Sequence, residues 1–96
     1  MKKSECTKEN ILSAEKERDF ARVVRNHPQW KRSDEGKGSH VKEFYQTPDG
    51  EQMIPWAAHS GEVSIGVRRS FARIMISIGL LVLPFACAGA LMLLVR

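Results

Sequence analysis

The chain has 96 residues, with 15 Lys and Arg against 11 Asp and Glu and a net charge of +4. A chain this short supports at most one small soluble domain with a marginal core. The basic excess is a slight imbalance in a mixed-charge sequence. Binding to nucleic acid is therefore not expected, because nucleic-acid binders concentrate their cations on one face or arm.

Residues 1–27 are predicted to form an N-terminal polar helix, with its helical part at about 7–26. Thr7 or Ser13 can cap its start, and Pro28 ends it. Its apolar stripe is narrow, and a helix with so little to bury is not stable by itself in water. Two interpretations stay open: the helix docks on a partner or a membrane surface, or it is solvated and frayed.

Residues 28–66 are predicted to contain a loop followed by a β-hairpin. Gly, Ser and charged residues dominate the first part, 28–40, which is typical of a loop. Trp30 stands out in this polar setting. A tryptophan in such a loop is either an anchor in a partner's pocket or a cover for the protein's own core.

The hairpin is predicted at about 41–56, around the turn sequence Thr47-Pro48-Asp49-Gly50. Proline presets the first turn dihedral, Asp tolerates the second, and Gly accepts a left-handed conformation. A two-stranded hairpin is marginal in water, so it needs a surface to lean on. We therefore expect the aromatic side chains of this region to contact a partner: Trp30, Phe44, Tyr45 and Trp56.

Residues 67–96 are predicted to form a basic juxtamembrane segment and a transmembrane helix. No charged residue occurs between 74 and 95. A helix of that length, at ~1.5 Å per residue, matches a hydrocarbon core of roughly 30 Å. Because a helix pairs every backbone group internally, it is the expected structure for such a segment in lipid.

Two features within this predicted span go beyond a plain anchor. Pro84 lies near its middle and predicts a kink. Gly79, Ala86 and Ala90 fall close to one face, and small residues let another helix approach closely. The sequence therefore favours a helix-packing face, although Ala and Gly are also common in membrane helices that have no partner.

Basic residues flank the predicted span unequally. Arg68, Arg69 and Arg73 precede it, and only Arg96 follows it. The positive-inside rule then places the N-terminus in the cytoplasm, at the inner membrane if the protein is bacterial, and the C-terminus on the far side. The three preceding arginines are expected at the level of anionic lipid headgroups.

The side chains that usually carry chemistry show no recognisable pattern. His27, His40 and His59 are far apart and lack metal-ligand spacing. Cys6 and Cys87 are expected in different phases, so a disulfide between them is implausible. The sequence therefore predicts no catalytic residue, no cofactor site and no metal site.

These elements together predict a mostly α membrane protein with one C-terminal transmembrane helix, an N-terminal amphipathic helix and a short β-hairpin between them. The favoured function is a non-catalytic single-pass accessory subunit. It would stabilise or assemble a larger membrane protein complex, of energy-transducing or secretion type, from its cytoplasmic side. The expected partners are larger integral membrane protein subunits and anionic lipid headgroups, with no small-molecule substrate. The alternatives are a free tail-anchored adaptor or regulator that recruits a soluble partner, and a holin-like or toxin-like membrane-perturbing protein.

Overall fold

The computed structural model describes residues 4–36, 38 and 40–82. Within them the chain forms three helices and three strands. Their bounds are α1 (Lys8–Ser13), α2 (Glu17–Arg25), β1 (Trp30–Glu35), β2 (His40–Thr47), β3 (Gly50–Ala57) and α3 (Ile65–Ser77). The strands form an antiparallel sheet in the order β1-β2-β3.

In the central strand β2, every second residue is buried, and the residues between them are exposed or, at Phe44, half-buried. Because successive side chains of a strand point to opposite faces, this pattern gives the sheet an inner and an outer face. Thr47 and Gly50 close the hairpin between β2 and β3. The Thr47 hydroxyl donates to the Gly50 carbonyl at 2.8 Å, and Gly50 has a φ of 109°, a value that favours glycine.

The core lies between the inner face of the sheet and the helices. The Phe20 ring of α2 contacts the Trp56 ring of β3 at 4.9 Å and the Phe71 ring of α3 at 5.3 Å between centroids. Around these rings lie Ile11 of α1 and Ile54 of β3, both fully buried. Burying such side chains stabilises the fold by roughly 1.5–3 kcal/mol each.

The N-terminal segment forms two short helices where the sequence predicts one. Residues 15–17 leave the helical path and pair with residues 61–63. The Val63 amide donates to the Glu15 carbonyl at 2.7 Å, and the Glu17 amide donates to the Gly61 carbonyl at 2.8 Å. These long-range hydrogen bonds replace helical ones, and helix propensity is too weak to resist such tertiary pairing.

The predicted loop at 28–40 also contains regular structure. Trp30–Glu35 forms the edge strand β1, which pairs with β2 from Trp30↔Tyr45 to Glu35↔Val41. A register shift between Trp30 and Arg32 marks a bulge near its start. Only a few of its side chains face the core, so the strand has no apolar alternation to reveal it.

The prediction of one continuous transmembrane helix over 74–95 is wrong. Helix α3 ends at Ser77, and Gly79 follows with a φ of 84°. The Leu80 amide donates to the Met75 carbonyl at 2.8 Å, and the Gly79 amide donates to the Ile76 carbonyl at 3.1 Å. This hydrogen-bond pair is a Schellman motif, which stops a helix at a left-handed glycine.

The start of the predicted span belongs to the protein core instead. Met75 is fully buried and Leu80 is 6% exposed, and both belong to the same apolar cluster as Phe71. Across residues 4–82, apart from 37 and 39, no helix is long and apolar enough to cross a membrane. The predicted mostly α membrane fold is therefore corrected to a small α+β fold with an antiparallel sheet. Pro84, Ala86 and Ala90 lie outside the described residues.

Candidate functional site

Glu43 of β2 is the centre of the polar interior, with no exposed surface. Its Oε1 accepts hydrogen bonds from Trp30 Nε1 at 2.9 Å and from the Ser33 hydroxyl. Its Oε2 accepts from Arg25 Nε and Trp56 Nε1, both at 2.9 Å. A carboxylate offers about four acceptor positions, so these four donors saturate it. The arrangement binds β1, β2, β3 and α2 together and leaves no lone pair for a ligand.

Of the four aromatic residues predicted to contact a partner, the structure buries two. Tyr45 is fully buried, and its hydroxyl donates to the Val24 carbonyl of α2. Burial raises the pKa of this phenol well above its ordinary value of 10.0. Trp56 is 4% exposed and Trp30 is half-buried, and both donate hydrogen bonds to the Glu43 carboxylate. Phe44 alone among the four points to the outer face.

The outer face of the sheet is open to solvent and carries an apolar patch, which we call the sheet patch: Phe44, Met53 and Pro55. Phe44 and Met53 are cross-strand partners, and Pro55 lies two residues further along β3. Met53 is 45% exposed, and Pro55 is exposed as well. The guanidinium of Arg32 lies 4.0 Å above the centre of the Phe44 ring, a cation–π contact.

Charges beside the sheet patch pair with one another. Arg32 donates to Glu51 at 2.8 Å, and Lys31 lies 3.7 Å from the same carboxylate. The Arg32 hydrogen bond lowers the pKa of Glu51, and the same bond raises the pKa of Arg32. Further along, Asp34 faces Lys42 in the register of β1 and β2. The patch therefore has an apolar centre with a mixed, largely self-neutralised border.

A second surface feature is a groove of about 520 Å³ between α1 and α3, which we call the α1–α3 groove. Its floor is apolar, formed by Leu12, Ala72 and Ile76. Its cations come from both helices. They are Lys8, Arg69 and Arg73. The sequence predicted Arg69 and Arg73 at the level of lipid headgroups but had no signal for Lys8, which the fold brings to them from a distant part of the chain.

Arg68 stands apart from the two arginines with which it was grouped. It is 8% exposed, its Nε donates to the Val63 carbonyl at 3.0 Å, and its Nη1 donates to the Leu12 carbonyl. Each bond satisfies a backbone carbonyl with a charged donor. Arg68 thus joins α3 to α1, while Arg69 and Arg73 are exposed.

A third surface feature is a groove of about 490 Å³, which lies beside the Glu43 network and has mixed charge. Arg25 Nη2 lies 3.5 Å from Glu35 Oε2 on its wall. Lys16, Glu17 and Arg18 supply further charges of both signs. Because the charges alternate, the groove presents no field of a single sign to a ligand.

His27 and Cys6 have structural roles in the fold. His27 Nδ1 accepts from the Gln29 amide at 3.0 Å, so its other ring nitrogen carries the proton that is donated to the Leu80 carbonyl at 2.7 Å. Burial raises the pKa of the Cys6 thiol from 9.0 to about 12. Across 4–36, 38 and 40–82, no group of three or more His, Cys, Asp or Glu side chains is placed to hold a metal ion.

Comparison with protein-family models, with curated proteins and with solved structures gives no match for this chain.

Proposed function

We propose that this chain is a non-catalytic accessory subunit that binds a larger protein partner through the sheet patch. The observation that carries the proposal is the open outer face of the sheet, where Met53 is 45% exposed beside Phe44. An apolar centre within a polar border is the usual anatomy of a protein–protein contact. The proposal retains the accessory role expected from the sequence and drops the membrane-spanning helix.

The charge pattern supports a protein as the occupant of the sheet patch. Lys31 and Arg32 both pair with the Glu51 carboxylate, which cancels one of their two positive charges. A polyanion such as nucleic acid would have to compete with that pairing, because its phosphates release their counterions only where free protein cations replace them. A protein surface with its own apolar centre and both signs of charge can bind without breaking these ion pairs.

The polar interior supports a non-catalytic role. A general acid or base needs a free proton position within reach of a substrate. The Glu43 carboxylate is saturated by four donors, and the Tyr45 hydroxyl is committed to the Val24 carbonyl. These groups stabilise the fold and are closed to solvent.

Site-specific crosslinking tests this proposal. A photoreactive amino acid is placed at position 53 of the full chain, and in a control at position 18, an exposed site on α2. We expect position 53 to give one adduct with a single larger polypeptide, and position 18 to give none. An adduct between two copies of this chain, or the same products from both positions, would overturn the proposal.

A variant then links the adduct to affinity. Met53→Glu places a charge in the centre of the patch, where interface cores exclude charge. We expect about a tenfold or greater loss of the co-purified partner, as at central interface residues. Lys16→Glu, an exposed charge change on another surface, is the control and is expected to retain the partner.

A further inference from the structure

We propose that the α1–α3 groove binds the anionic headgroups of lipids at a membrane surface. The groove joins an apolar floor of Leu12, Ala72 and Ile76 to the cations Lys8, Arg69 and Arg73. An anionic lipid offers the complementary pair of features, a phosphate beside acyl chain. Because α3 ends at Ser77, the proposed contact is attachment to the membrane surface.

This groove differs from the other surface features because it gathers three cations in a lining that contains no described acidic side chain. Arg22, Arg25, Lys31 and Arg32 each lie within 4.0 Å of a carboxylate. In the described part of the chain, the groove cations have no such salt bridge. No described acidic side chain lines the groove, whereas the mixed-charge groove contains Glu17 and Glu35. Its field therefore has one sign and is open to an external anion.

The position of α3 in the chain favours a lipid as the source of that anion. Helix α3 carries Arg69, Arg73 and Ile76 along one side, at helical spacing. The chain continues into residues 83–95, whose sequence contains no charged residue. Cations next to apolar sequence are typical of segments at the surface of anionic leaflets. The sheet patch shares no residue with this groove, so the two proposals can fail separately.

Vesicle co-sedimentation of the full chain tests the inference. The vesicles are pure phosphatidylcholine, or equal parts phosphatidylcholine and phosphatidylserine. The double variant Arg69→Gln with Arg73→Gln is compared with Arg18→Gln with Arg22→Gln, two exposed arginines of α2 that lie outside the groove. Both doubles remove the same net charge and keep residues 83–96 unchanged.

We expect wild-type chain to prefer the phosphatidylserine vesicles. The groove double should lower binding to them by roughly 25-fold, about fivefold for each cation lost near an anionic surface. The α2 double should bind nearly as the wild type does. High salt should remove the difference between wild type and the groove double, because it screens exposed charges.

Four results would overturn the inference. Equal losses in the two doubles would mean that only the net charge of the chain matters. Equal binding to both vesicle types would mean that no anionic headgroup is recognised. Displacement by inorganic phosphate at constant ionic strength would assign the groove to a free anion. An unchanged groove double, with its fold verified by circular dichroism, would place the lipid contact elsewhere.

The apolar floor gives an independent measurement. Ile76→Ser shortens a half-buried side chain of the groove without changing its charge. We expect it to weaken binding to phosphatidylserine vesicles at both low and high salt, because acyl contact is not screened. Loss of binding only at low salt would contradict a contact with acyl chain.

Discussion

The two faces of the sheet use the same strands in opposite ways. On β2, Val41, Glu43 and Tyr45 point inward and are buried, while Lys42 and Phe44 point outward. Every polar atom of Glu43 is satisfied by the protein itself. On the outer face, Phe44 is covered only in part, by the Arg32 guanidinium.

The difference shows that polar residues in this protein are not automatically functional. The most elaborate polar cluster lies on the inner face and is closed, so we assign it to stability. The plainer outer face, with Met53 and Pro55, is exposed to solvent, and it is there that we propose a partner binds. Variants on the two faces should therefore separate stability from binding.

Glu43→Gln should have the largest effect. The amide keeps the shape of the side chain but loses acceptor positions, so donors such as Trp56 Nε1 are left buried without a partner. Arg25 is less affected, because 28% of its side chain reaches solvent. We expect a loss of about 4 kcal/mol in the free energy of unfolding, measured in urea.

Lys42→Gln, on the outer face next to Glu43, is the control and should change stability by less than about 0.5 kcal/mol. If Glu43→Gln cost as little as the control, the inner network would not be a stabilising element. A variant that retains stability would also reopen the question of a chemical role for Glu43.

Leu80→Ala should be the next largest change. Leu80 packs in the core beside Met75 after the helix has ended, and it is 6% exposed. Removing its methyl groups should cost about 2–4 kcal/mol in thermal or urea unfolding. Leu81→Ala, at a half-buried neighbouring position, serves as the control with a smaller loss. Equal, small losses would show that residues 78–82 do not pack as described.

Some of this architecture follows from sequence patterns. The turn sequence Thr47–Gly50 is a local signal, and the structure has a hairpin there with bounds one residue wider at each end. No sequence pattern marked Glu43, whose carboxylate is buried on the inner face of the sheet. What the sequence could not supply were its donors, because Trp30, Ser33 and Arg25 come from other elements.

Other parts depended on contacts between distant segments. The break at 15–17 comes from hydrogen bonds to 61–63, and no Pro or Gly announces it. The end of α3 did have a signal, since Gly79 followed by Leu80 fits a Schellman motif with an apolar contact to Met75. Hydropathy alone led to the wrong prediction, because an uninterrupted apolar segment is compatible with both the end of a core helix and a membrane span.

The dependence of stability on alkaline pH tests whether the Cys6 thiol is buried in the core. The folded pKa of Cys6, about 12, lies above its ordinary value of 9.0 because the thiol is buried. Below pH 9 the thiol is protonated in both the folded and the unfolded chain, and its contribution to stability is fully present. Between about pH 9 and 12 only the unfolded chain ionises, so stability should fall, by at most about 1.4 kcal/mol per pH unit from this group.

Cys6→Ala isolates that contribution. Tyr45, whose raised pKa acts in the same direction, is kept in both proteins. The unfolding free energy of the variant should therefore decline less steeply with pH than that of the wild type. Parallel declines would contradict a buried thiol at position 6.

Met53→Ala should have almost no effect on stability. The side chain is 45% exposed on the outer face, so its truncation should change the unfolding free energy by less than about 0.5 kcal/mol. Ile54→Ala, at the next residue but on the inner face, should cost about 2–4 kcal/mol because Ile54 is fully buried. Similar losses of stability at both positions would mean that the outer face is not exposed to solvent.

The smallest effect concerns the border of the sheet patch. Arg32 holds the pKa of Glu51 below that of an ordinary carboxyl group. A lowered pKa contributes stability above the unfolded value, near 4.3, and the contribution is lost as pH falls through the folded value. The stability of Glu51→Gln should therefore match that of the wild type in acid and fall slightly below it at neutral pH.

Because Arg32 and Glu51 are both exposed, added salt should reduce this difference in stability, whereas the effect of Glu43→Gln on the inner face should persist. A salt-insensitive Glu51 effect would mean that the outer face is shielded from solvent and so already occupied.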